Sequence, residues 1–409
     1  MRILVSALYC KPNSGSEQAY GWWWVTELAR HHDVVVMTGS DQRPAIEEAL
    51  ADRTDLPRLH FEYVTSLVRQ SPSGTEQRFE RLAQYLWQLL AAPRARQVAR
   101  RFEPDVAHHV TSGTWRQPSC LAATDIPFAM GPLAGSERLP AGFAKAFGRE
   151  ALLRDRLRGA AISVARVDPL VNFSLRRSKA IIAAGTHTKH EMQRRFPDKI
   201  ATFSQVFRHP GVAPGSVRIR SWTPDEELRI VWVGRIVPSK GLQILLDALS
   251  DPRLPTLRLD VLGAGPERER MEALTHALGL EDRVHFRGHV DHVELFDTIH
   301  SGHLFVFTSL QELMGQALSE AMQLGIGCIV FDYSGASVLA GSNGAVKVPI
   351  RSPQLASSDL ADAIVDVIDN NSIDELSRMA LDRFAALADD GTPQERMERL
   401  YRFTLGETK

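Results

Sequence analysis

Short apolar runs alternate along this chain with stretches in which apolar residues recur every three or four positions. Arg2–Leu8, Val34–Thr38, Leu59–Val64, Asp105–Val110, Pro127–Gly131 and Ala180–Ala184 have the length and composition of buried strands. Between them the spacing predicts helices over Gln18–His31, Ala45–Ala51 and Gln77–Phe102. The later half repeats the scheme with strands Arg229–Val233, Leu257–Leu262, Val284–Phe286 and Leu304–Phe307 and helices Leu242–Leu249 and Arg268–Leu278. Such alternation predicts two α/β domains, each a parallel sheet with helices on both faces, facing each other across a cleft. Ligands then bind at the carboxyl ends of the strands.

The chain has 409 residues and 44% hydrophobic content, enough for two separate cores. Its net charge of −1 conceals a split. Residues 1–210 carry 29 Lys and Arg against 20 Asp and Glu, and the remainder 19 against 29. The expected boundary is near residue 210, with the Pro-containing stretch His209–Glu226 as connection. No apolar run reaches membrane-spanning length, and MRILVSALYC reads as a strand rather than a signal peptide. Cys10, Cys120 and Cys328 are widely separated, a reduced, cytoplasmic pattern without metal-ligand spacing. Arg94, Arg96, Arg100 and Arg101, with Arg149, Arg154, Arg156 and Arg158, lie on helix-like stretches beside apolar residues. Such faces fit either solvated helix surface or peripheral docking on an anionic membrane.

Chemistry concentrates in the later half. Glu312 and Glu320 stand eight positions apart, the first on the loop after strand Leu304–Phe307, the second inside the next helix. Between them Met314-Gly315-Gln316 marks a helix start, whose free N–H groups and dipole favour a phosphate. Carboxylates on either side suit sugar or ribose hydroxyls. Upstream, strand Arg229–Val233 runs into Gly234-Arg235-Ile236-Val237-Pro238-Ser239-Lys240-Gly241. Arg235 offers a planar fork of donors and Lys240 a compact charge, a pair suited to a diphosphate. Each charge-assisted contact is worth about 1.5–3 kcal/mol. Gly263-Ala264-Gly265-Pro266 ends another strand, where glycine also serves any turn needing positive φ.

These motifs resemble the retaining glycosyltransferases of family 4. The resemblance covers the carboxyl half specifically and the amino half loosely, in a form seen in a bacterial polysaccharide-type subset. It implies the GT-B fold: two facing Rossmann-like parallel-sheet domains with a cleft between them. It implies that Glu312 of the E-x7-E pair binds the donor sugar and Glu320 the nucleotide ribose, with Arg235 and Lys240 on the donor diphosphate. Gly234, Gly263 and Gly265 would line the nucleotide pocket. Where many members read E-G-F-G, this chain reads E-L-M-G, keeping only Gly315. The last helix, Pro393–Thr404, would cross back to the first domain, which then comprises residues 1–210 and about 388–409 around a nucleotide-sugar domain of 211–387.

Three amino-half loops complete the candidate set. Gly15 and Ser16 open a helix and would approach the donor phosphates, though Ser16 also fits an ordinary N-cap. His108 and His109 face opposite sides of a strand, so at most one enters the cleft. His109 is preferred because Thr111 shares its face, with a backbone-satisfied core histidine as the alternative. Gly135 and Glu137 resemble an acceptor-binding G-P-x-G-G-x-E loop, and a purely structural turn also fits.

No Asp-x-Asp follows a strand, so no metal is expected and cations must neutralise the diphosphate. The expected activity moves a sugar from a UDP- or GDP-linked donor to a glycan, lipid-linked or small-molecule hydroxyl acceptor, with no nucleic-acid partner. A nucleotide-sugar 2-epimerase and a non-catalytic nucleotide-sugar-binding partner protein are the rival readings.

Overall fold

A computed structural model describes residues 1–12, 16–51, 53–66, 77–204, 206, 217–312 and 315–407. Two compact units divide the chain. The first comprises Met1–Ser136, Gly159–Phe203 and Gly391–Lys409, and the second Glu137–Arg158 and Ser204–Asp390.

The first unit is built on β1 (Arg2–Ser6), β2 (Asp33–Gly39), β3 (Leu59–Val64), β4 (Val106–His109), β5 (Phe128–Leu133) and β6 (Ala180–Ala183). All neighbours pair in parallel, in the order β3-β2-β1-β4-β5-β6. Helices cover both faces, so the strands are buried on both sides and read as continuous apolar runs. On one face Ile3, Val5, Val34 and Val36 pack with Trp24 and Tyr401; on the other Leu4, Val35 and Met37 pack with Trp87 and Trp115. The terminal helix Pro393–Leu405 starts at a capping box between Thr392 and Glu395 and buries Met397, Leu400 and Tyr401 in the first core.

The second unit repeats the topology with β7 (Leu228–Val233), β8 (Leu257–Leu262), β9 (Val284–Gly288), β10 (Leu304–Phe307), β11 (Gly327–Phe331) and β12 (Val346–Val348), ordered β12-β11-β10-β7-β8-β9. The helix Leu242–Leu249 buries six of its eight residues, all but Gln243 and Asp247, which explains its largely apolar sequence. Glu137–Arg158 groups here because Phe143, 1% exposed, sits in the core with Leu242 and Leu360.

Both sheets are parallel and doubly wound, as the alternation of runs and periodic stretches predicts. Expected elements recur with small shifts: the helix drawn over Gln18–His31 spans Ser16–Ala29, and the strand drawn over Asp105–Val110 spans Val106–His109.

Candidate functional site

In each sheet the strand order reverses direction once, between β1 and β4 and between β7 and β10. Chains leaving the carboxyl ends of those two strands turn to opposite faces, and the crevice between them is where such sheets bind ligands.

In the second unit this crevice joins the two charged motifs. β10 pairs with β7 through Leu304 opposite Ile230 and Phe305 opposite Val231. Across 72 residues of sequence, Lys240 Nζ reaches Glu312 Oε2 at 2.5 Å. The pair is 23% and 13% exposed, sheltered but open to a ligand. Each partner is held independently. The Thr308 hydroxyl donates to the Lys240 carbonyl at 2.8 Å and accepts from the Trp232 indole at 3.0 Å. The Glu312 backbone N–H donates to the Ser334 hydroxyl at 3.1 Å, and its carboxylate accepts from the Gly315 N–H at 3.3 Å. Lys240 also lies 5.8 Å from the Phe307 ring centroid. Arg235 is exposed and forms no ion pair among the described residues.

Glycines bring the backbones together here. A Cβ on Gly263 would stand 1.9 Å from the Gly234 carbonyl oxygen, and one on Gly265 2.2 Å from that of Ile236. The loops after β7 and β8 are thereby joined, Gly234 N–H to the Leu262 carbonyl and Ile236 N–H to that of Ala264, both at 3.0 Å. Gly315, in left-handed backbone at φ 62°, is the N-cap of the helix Gln316–Gln323. Inside that helix the Gln316 amide donates to Glu320 at 3.1 Å, and Glu320 is buried. Met314 lies outside the described residues.

The crevice of the first unit is chemically different. Tyr9 N–H, after β1, donates to the Thr111 hydroxyl, after β4, at 3.0 Å. The Tyr9 hydroxyl donates to Glu80 and accepts from Gln84, both at 2.8 Å. Gln84 in turn accepts from Gln117, whose amide oxygen takes the Ser112 hydroxyl, both at 2.7 Å. Glu17 accepts the Gly113 N–H at 2.7 Å. Burial and the two carboxylates push the Tyr9 hydroxyl well above its usual pKa. Sequence reading missed this network; only its position after β1 and β4 could have signalled it.

Both histidines of β4 are buried and face opposite sides. His108 meets the Tyr401 hydroxyl at 3.0 Å and the Gly131 carbonyl at 2.9 Å, with Trp24 edge-on at 5.0 Å. His109 meets the Ser119 hydroxyl at 3.1 Å and the Ser112 backbone. Burial lowers His108 to about 3 and His109 to about 4, so both rings are neutral at pH 7. Gly15 lies outside the described residues, and Ser16 begins the helix Ser16–Ala29. Gly135 has φ 123°, and a Cβ there would stand 2.6 Å from the Thr114 hydroxyl. Glu137 is 2% exposed.

Residues 218–382 match the family model for glycosyl transferases group 1. Alpha-D-kanosaminyltransferase of Streptomyces kanamyceticus is 31% identical over 160 residues, 38% of this chain and 40% of that protein. The lipopolysaccharide core biosynthesis glycosyltransferase LpsD of Rhizobium meliloti is 33% identical over 126 residues, 31% of this chain and 34% of that protein. The chain thus aligns with two-fifths or less of these relatives' length. Structural likeness extends over the whole chain. The lipopolysaccharide outer core galactosyltransferase WaaB superposes with a TM-score of 0.66 at 14% identity, covering 100% of both chains. HepE of Anabaena, in complex with UDP and glucose, superposes at 0.60 and 17% identity, again over 100% of both. The fold is therefore GT-B, and the likeness to glycosyl transferases group 1 lies in residues 218–382.

Proposed function

We propose that the chain is a retaining, metal-independent glycosyltransferase that moves a sugar from a nucleoside-diphosphate donor to a hydroxyl of a glycan, a lipid-linked sugar or a small molecule. The observation that carries this reading is the Lys240–Glu312 pair at the second unit's crevice, beside a glycine-capped helix start. In the free protein the lysine and glutamate neutralise each other. An arriving diphosphate draws Lys240 away, Arg235 joins it from solvent, and Glu312 is released as an ionised acceptor for the sugar hydroxyls. Glu320 takes the ribose hydroxyls. UDP- and UDP-glucose-bound HepE favours uridine as the base.

Charge develops on the departing diphosphate, and Lys240, Arg235 and the helix start of Gln316–Gln323 stabilise it without a divalent cation. The acceptor oxygen bonds to the anomeric carbon as the carbon–phosphate-oxygen bond breaks. The acceptor proton passes to the leaving phosphate oxygen on the same face, which retains configuration. LpsD and WaaB, named for lipopolysaccharide core assembly, favour a growing glycan as acceptor.

Calorimetry with UDP and GDP, followed by NMR of the product anomer, tests the reading. Uptake of one nucleotide and a retained anomer are expected. Absence of uptake for both overturns the donor site, an inverted product overturns the mechanism, and an isomerised donor without acceptor indicates an epimerase.

A further inference from the structure

Large apolar side chains of the first unit stand exposed on two neighbouring helical segments. Leu82, Leu86, Leu89 and Leu90 of the helix Gln77–Phe102 are 38–56% exposed, and the spacing places them on one face. Val164 and Val167 end the helix Arg149–Val167, and Leu170 and Phe173 lie on the helix Pro169–Arg177; these four are 42–79% exposed. The Tyr85 hydroxyl donates to Asp168 at 3.0 Å, which ties the leucine-bearing turns to the junction of the other two helices. Singly scattered exposed leucines are ordinary, but eight apolar residues on adjoining helices mark a surface that meets an apolar partner.

Cations continue the same face. Beyond Leu90, Pro93, Arg96, Gln97, Arg100 and Arg101 line a groove of about 450 Å³. Arg101 is paired with Glu62, whereas Arg96 and Arg100 form no ion pair among the described residues. Arg176, likewise without an ion pair there, and Arg177, 5.9 Å from the Phe173 ring centroid, do the same for the second segment.

We propose that this face of the first unit lies on an anionic phospholipid bilayer, its leucines and Phe173 at the acyl boundary and its arginines at the headgroup phosphates. An apolar stripe with guanidinium neighbours is the composition of an interfacial helix. A second copy of the chain fits poorly, because two such faces would set arginines against arginines. The proposal is independent of the sugar-transfer reading, since bilayer binding requires no donor.

The test is flotation of the full chain with vesicles of phosphatidylcholine and phosphatidylglycerol, against phosphatidylcholine alone. Binding to the anionic vesicles, weakened by salt, is expected. L86E/L89E and V164E/F173E should each lower it about tenfold or more, with unchanged circular dichroism and melting. R100E/R176E, which alters only exposed charges, gives the same readout should an apolar variant melt early. Failure of the wild type to float with anionic vesicles, or equal flotation of all variants, overturns the proposal. So does a wild-type dimer in sedimentation that L86E/L89E dissociates, which would assign the face to self-association.

Discussion

In the first unit, the loops leaving β1 and β4 meet through hydroxyls, amides and carboxylates: Tyr9 with Thr111, Glu80 and Gln84, then Gln117 and Ser112. In the second, the loops leaving β7 and β10 meet through a lysine and a glutamate, over a floor of glycines. Strand order is the same in both, so topology places a crevice and says nothing about its ligand. Loop chemistry decides that. A cation released from a carboxylate suits a diphosphate, whereas a chain of hydroxyls, amides and carboxylates suits a hydroxyl-bearing molecule.

The largest expected effect breaks the charged side of this contrast. Lys240→Ala and Glu312→Ala should each cut sugar transfer by one to three orders of magnitude, at about 1.4 kcal/mol per decade. The double variant should fall short of the sum of the singles, because either change alone unbalances the other partner. Wild-type transfer rates in both singles would remove Lys240 and Glu312 from the mechanism.

Next comes the glycine floor. Gly263→Val forces a side chain into the Gly234 carbonyl at φ 141° and should cost about 3 kcal/mol in urea unfolding of the second unit. A stability within about 0.5 kcal/mol of wild type would show that the turn has room to yield.

Acid should act on the first unit through its two enclosed histidines. His108 and His109, neutral when folded, take up protons only on unfolding once the pH drops below about 6.5. Their contribution is intact above that value and is lost as pH falls toward about 4 and then 3. Each should remove about 2 kcal/mol between pH 7 and pH 5. Unfolding curves at the two values check this, and replacing His109 with Gln should flatten the dependence; a dependence unchanged by the replacement would assign it to other groups.

The smallest effect is Tyr401→Phe. It deletes the hydroxyl shared by His108 Nδ1 and the Trp24 indole and should cost about 1–2 kcal/mol, read as an earlier melt without change in donor affinity. Weakened UDP binding in this variant would show that the first unit's core reaches the donor site.

Much of the second unit's charged crevice was legible because its signals are local. Gly234 to Gly241 form one strand-to-helix turn, and Glu312, Gly315 and Glu320 one loop and helix start. Thr308, Trp232 and Ser334, which position Lys240 and Glu312, carried no signal, since their partners lie up to 76 residues away. For the histidine pair, alternation along β4 assigned opposite faces correctly, yet preferring His109 for the cleft could not anticipate that it too is enclosed, by Ser119 and the Ser112 backbone. The leucines of Gln77–Phe102 were equally opaque. Apolar residues surround that helix, so periodicity does not distinguish buried Trp87 from exposed Leu86.

By itself the sequence determined the alternation of strands and helices, the parallel sheets this implies, and the residue types able to grip a diphosphate. Those follow from the periods of 2 and 3.6 residues and from the charge of single side chains, which need no knowledge of distant neighbours. Only tertiary structure decided that Lys240 is paired with Glu312, that both histidines of β4 are enclosed, and which leucines face outward. Each depends on strands and helices brought together from tens to hundreds of residues apart, where packing rather than local spacing selects the partner.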